Sequence, residues 1–173
     1  MLKAGWVAAW TLALACGAAH AEVKASAPDG FILHHEADVA IASEALWERL
    51  IHPEIWWASS HTYSGASANL SLAPVAGGCW CETWDGGAVE HGRVVSIMPG
   101  TLLRLDSTLG PLQDIGATGA LTFTFAKGSA EGRTRVSVDY KVSGSALSKL
   151  DELAPIVDGV WAEQFSRLVH PSR

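Results

Sequence analysis

Cysteine, positive charge and long apolar runs are all scarce in this chain. Three cysteines stand in 173 residues, and one of them, Cys16, lies inside the first apolar stretch. The other two are too few for a disulfide framework, so a packed core must hold the fold. Lysine and arginine number 12 against 18 aspartates and glutamates, a formal net charge of −6. That balance argues against nucleic acid and against anionic membrane surfaces as partners. No phosphate-binding glycine loop, nucleophile elbow or H-E-x-x-H helix occurs, which removes the best-marked enzyme classes. After the first twenty residues no apolar run is long enough to span a bilayer.

What is present starts with a short basic end at Lys3, an apolar run over 4–19, and Ala19-His20-Ala21, an A-x-A cleavage pattern. Residues 1–21 are therefore expected to be a secretory signal. A lipid anchor on Cys16 is set aside, because Ala13 stands where a branched apolar residue belongs. Cleavage would remove Lys3 and no acidic residue, and leave a periplasmic or secreted protein without stable membrane insertion. Residues 22–30 are expected to form a flexible leader, and 31–170 one domain, large enough for a substantial core.

The segment 31–41 alternates as a strand. Ser43 is placed to cap a short helix over 44–51, with Leu46, Trp47, Leu50 and Ile51 on one side. The period then becomes two. Strands are expected over 68–72, 79–84, 88–97, 102–107, 119–125 and 133–142, separated by glycine, proline and aspartate turns. Leu121, Phe123 and Phe125 share one face of their strand. Val136, Val138, Tyr140 and Val142 share one face of the next, with polar residues between, as in an antiparallel sheet with one dry side. The chain closes on an amphipathic helix carrying Leu150, Leu153, Ala154, Val157, Trp161, Phe165 and Leu168. Pro155 either starts that helix or kinks it. The fold class is α+β: a curved antiparallel sheet packed around a long C-terminal helix, with room for a ligand between the two.

The element order resembles the helix-grip fold of the START-like (SRPBCC) superfamily. That superfamily includes polyketide cyclases and the domains related to the heat-shock-protein ATPase activator. HPEIWW after the first helix, GGCWCE at a strand start, MPGTLLRL, LGPLQ and VDGVWAEQFSRL carry the resemblance over residues 31–170. It implies a cavity for a hydrophobic small molecule. It carries over no catalytic residue and no cofactor.

The stretch GGCWCETWDGG, 77–87, holds the most chemistry. In a regular strand Cys79 and Cys81 would have α-carbons about 6.6 Å apart and β-carbons equally far, too far for a disulfide without a bulge or break. Two thiolates with His91 make three metal ligands where a closed zinc site takes four, so no metal site is expected. The cysteines are read as small packed hydrophobes. Either the Cys79/Cys81/Thr83 face or the Trp80/Glu82/Trp84 face could point inward. In the second case Glu82 lies among indoles, its pKa raised unless it is paired. His91, across the Asp85-Gly86-Gly87 hairpin, could pair with Glu82 as an acid–base dyad or as a structural hydrogen bond. Trp56 and Trp57 are adjacent, so one can pack while the other faces a cavity mouth. His61 and Tyr63 are placed to bind a ligand there or simply to order their loop. Trp80, Trp84, Phe123, Tyr140 and Trp161 complete the expected apolar wall. Asp158, beside the helix stripe, is read as a helix-to-loop hydrogen bond. Three functions are compatible with this: an exported carrier of a hydrophobic molecule, a cyclase- or hydrolase-type enzyme using Glu82 and His91, and a protein-interaction module of the ATPase-regulator kind.

Overall fold

The computed structural model describes residues 20–171, so the expected signal segment, apart from its last two positions, lies outside the described residues. The elements are β1 (His20–Ala27), β2 (Gly30–Val39), α1 (Ser43–Leu50), β3 (Leu70–Leu72), β4 (Cys79–Trp84), β5 (Gly87–Met98), β6 (Leu102–Ser107), α2 (Pro111–Asp114), β7 (Thr118–Lys127), β8 (Thr134–Ser143) and α3 (Leu150–Val169). Three short 3-10 turns lie between α1 and β3, and a fourth precedes α3. The eight strands form one sheet in the order β1-β2-β8-β7-β6-β5-β4-β3, antiparallel at every pairing. The sheet curves around α3, and the fold is the expected α+β helix grip.

Alternation decides which face is dry. On β2, Phe31, Leu33, His35, Ala37 and Val39 are buried, while the residues between them are partly exposed. On β8, Val136, Val138, Tyr140 and Val142 face the same way. Leu150, Ala154, Trp161, Phe165 and Leu168 of α3 seal that face. Each large apolar side chain so buried contributes about 1.5–3 kcal/mol.

Two details differ from the expectations, and one open alternative is decided. Residues 22–30 are not a loose leader: Glu22–Ala27 belongs to β1, paired with β2 across the Pro28-Asp29 turn. The carbonyl of Pro28 accepts from the Leu150 amide at 2.9 Å, which fixes the start of α3. The helix begins at Leu150 and runs through Pro155 rather than starting there. Ser43 is the first helical residue, not the cap; its hydroxyl donates to the Gly100 carbonyl at 3.2 Å and ties α1 to the β5–β6 turn. Among the described residues no helix is long and apolar enough to cross a membrane.

Candidate functional site

The β4–β5 hairpin builds the chemistry. Its turn is Asp85-Gly86, and Gly86 adopts φ 89°, a conformation that favours glycine. The pairing runs regularly from Trp84↔Gly87 to Cys81↔Glu90, then shifts so that Trp80 faces Gly92. His91 is the extra residue of a β-bulge, and His91 and Gly92 are both buried. A bulge re-aims a side chain, here the imidazole toward the interior. Gly92 is required at this place: a Cβ there would meet the side chain of Ser107 at 2.8 Å.

The bulge also corrects the reading of the cysteines. Cys79 and Cys81 are joined as a disulfide, their α-carbons 5.4 Å apart rather than at regular strand spacing. Their face is the outer one, so the sulfurs and His91 lie on opposite sides and do not converge. Among the described residues no group of three or more histidine, cysteine or acidic side chains could hold a metal ion. The inward face of β4 is the tryptophan face, with Trp80 3% and Glu82 0% exposed.

Glu82 is fully enclosed and fully paired. Its carboxylate accepts from the backbone N–H of Tyr63 at 3.0 Å, from that of Ser64, and lies 3.0 Å from His91 Nε2. Burial pushes this carboxyl up, but the donors from Ser64, Tyr63 and His91 outweigh it and hold the group below its ordinary value. His91 is pushed down by burial, against the pull of Glu82. The pair is therefore a carboxylate and a neutral imidazole near neutral pH. The carboxylate needs a donor, which places the imidazole proton on Nε2. Nδ1 is left as an acceptor with no hydrogen bond to a described residue, on a ring that lines a cavity.

That cavity measures about 390 Å³ and lies between α3, α2, β5 and the loop after α1. Leu109, Pro111 and Leu112 form one wall; Leu153, Val157 and Val160 of α3 form the other. Trp57, Trp161 and Tyr63 close it with aromatic surface, and His61 and Asp114 stand on its rim. The Trp57 indole donates to the His61 carbonyl at 2.8 Å, and the His61 imidazole lies 3.2 Å from the Glu163 carboxylate of α3. Tyr63 bridges the mouth, its hydroxyl donating to the Gly110 carbonyl at 3.2 Å.

The remaining expected wall residues stand elsewhere. Trp56, Phe123 and Tyr140 are packed core behind the cavity, within a continuous set of edge-to-face rings that includes Trp161. Trp80 lies behind His91, ring centroids 5.8 Å apart, and against Trp57 at 5.1 Å. Trp84 covers Gly87 at the hairpin end, because its strand leaves the site there. Tyr140 acts at a distance: its hydroxyl donates to the Ser107 carbonyl and accepts from the Leu109 amide, each at 3.2 Å, and so holds the loop that carries Leu109 and Gly110. Burial pushes this phenol well above its ordinary value. The sequence reading did not assign the cavity wall at Leu109–Leu112 and Asp114. Its signal was the LGPLQ string, an apolar pair around a glycine-proline turn.

No protein-family model and no curated protein sequence matches the chain. Solved structures do. MLL2253 from Mesorhizobium loti is 19% identical with TM-score 0.57, over 79% of this chain and 93% of that one. CalU16 from Micromonospora echinospora is 9% identical with TM-score 0.55, over 89% and 82%. The Aha1 dimer from Colwellia psychrerythraea is 15% identical with TM-score 0.54, over 80% and 92%. At these identities the likeness is one of fold: the chain shares the helix-grip arrangement of sheet and C-terminal helix with these proteins.

Proposed function

We propose that this protein is an exported carrier or receptor that holds a hydrophobic small molecule in the cavity beneath α3. The observation that carries the reading is the cavity itself: about 390 Å³, walled by apolar and aromatic side chains, with one buried polar pair at its side. Ligand sites have this composition, apolar walls with a few placed polar groups. Export is supported by the basic start, the apolar run and the A-x-A pattern. A disulfide in a chain with so few cysteines supports it too, since disulfides persist in oxidising compartments.

A second reading has its own support. A neutral imidazole held by an ionised carboxylate is the arrangement of a general base. In that reading His91 takes a proton from the bound molecule and Glu82 stabilises the imidazolium.

Native mass spectrometry tests the first reading. The whole chain is expressed with its N-terminal segment and recovered from the exported fraction. The expected species begins at Glu22 and carries a non-covalent apolar molecule that is lost on denaturation. A bare chain that also retains no added hydrophobic compound contradicts the carrier reading. For the second reading, Glu82→Gln should abolish turnover of a bound compound with the fold intact; retained turnover would sink it.

A further inference from the structure

The polar groups around the cavity differ in sign and hydrogen-bonding role. No lysine or arginine lines it. The rim carries the Asp114 carboxylate, and the His91 ring has the Glu82 carboxylate directly behind it. The His61 ring is turned to Glu163. The Tyr63 hydroxyl donates its proton to Gly110. Beside His91 the cavity is acceptor-rich: Nδ1 has no hydrogen bond to a described residue and Glu82 stands behind the ring, while Ser60 and Thr62 also line the cavity, the Thr62 hydroxyl donating to the Ser59 carbonyl. An anion placed there meets no lysine or arginine and stands near the Glu82 carboxylate, in largely apolar surroundings. The phenol of Tyr63 already feels this. Burial first, then Asp114 and Glu82, push its pKa above the ordinary tyrosine value.

Resting on the ligand-binding reading above, we propose that the cavity selects an uncharged aromatic or alicyclic molecule carrying one hydroxyl, whose proton is donated to His91 Nδ1. Carboxylates of the same shape are excluded. A ligand that covers His91 without a donor leaves a buried acceptor unpaired, a penalty of about tenfold or more in affinity. A hydroxylated ligand removes that penalty. The apolar walls contribute equally to both, so the difference between them isolates the hydrogen bond. A protonated amine is attracted by the same carboxylates that oppose an anion, and that attraction is offset by the water it gives up on entering.

The test uses the exported chain and three probes of one shape: 4-phenylphenol, 4-methoxybiphenyl and biphenyl-4-carboxylate. Binding is read by calorimetry and by quenching of the tryptophans at the cavity. The phenol should bind at least about tenfold tighter than the methyl ether, and the carboxylate weakest of the three. His91→Phe should erase the preference for phenol over ether while the ether still binds. Asp114→Lys, on the exposed α2 turn, should raise binding of the carboxylate. If the ether binds as tightly as the phenol, or the carboxylate binds best, the donor rule is overturned while the carrier reading stands. If none of the three binds, the cavity reading itself fails and the rule falls with it.

Discussion

Two histidines are buried in the described fold, each beside a carboxylate, and they are set for different work. His91 meets Glu82 at the side of the cavity, at 3.0 Å, with the carboxylate held by two further backbone donors. His35, on β2, meets Asp158 of α3 at 2.9 Å, but neither of the two facing atoms makes a hydrogen bond of good geometry. The His35 ring packs against Phe165 of α3, centroids 5.9 Å apart, on the same dry face of the sheet but outside the cavity lining. Asp158 thus reaches a strand, not the loop expected for it, and clamps the helix to the sheet. The Glu82 pair orders a loop and presents a free nitrogen to a cavity; the Asp158 pair closes a seam. Burial lowers both imidazoles, so a shifted pKa alone does not separate a site from a clamp. Satisfaction of the carboxylate and access to a cavity do.

The largest effect expected from breaking this comparison is Glu82→Ala. It leaves the Tyr63 and Ser64 amides and the His91 N–H without their acceptor, and should cost about 3–5 kcal/mol in urea unfolding. A loss below about 1 kcal/mol would mean the carboxylate is not the hub described. Next comes the disulfide. Cys79→Ser with Cys81→Ser opens a very short loop, so the cost should be at most about 2 kcal/mol. The register at Trp80 and His91 should loosen with it, seen as faster amide exchange on β4 and β5. Asp158→Asn should cost only about 1 kcal/mol and leave ligand binding unchanged, since that pair is partly exposed and poorly aligned. If it impairs binding as much as a Glu82 variant does, the two pairs are not separable.

Acid should act on both. Each histidine is neutral in the fold at a pH where the unfolded chain takes a proton. Stability is therefore full above the ordinary histidine value and declines as pH falls through it toward the folded-state values. Glu82, held below its ordinary value, adds a second loss as pH drops through the carboxylate range toward its folded-state value. Chemical denaturation across this range checks the order. In His35→Phe the first loss should shrink, and the second should remain.

Much of this was legible in the residues. Alternation gave seven strands and the dry faces of β7 and β8, because one side of each is wet. β1 was hidden because most of its side chains are exposed and it adjoins a cleavage pattern. The Glu82–His91 pair was legible because a two-residue glycine turn fixes hairpin register. The disulfide was not, since its cause, the extra residue at His91, sits on the partner strand. The cavity wall at Leu109–Leu112 was missed because a turn between strands carries no periodicity, and it is held by contacts distant in sequence, the Tyr140 and Tyr63 hydroxyls.

The central claim is that His91 is a neutral imidazole with its proton on Nε2 and its Nδ1 lone pair open to the cavity. Long-range proton–nitrogen correlation spectra of the imidazole rings, followed over pH with and without 4-phenylphenol, test it directly. The account predicts Nε2 protonation at neutral pH, titration below the ordinary histidine value, and a shift of Nδ1 on adding the phenol while His35 stays still. An imidazolium at neutral pH, or a proton found on Nδ1, would contradict it.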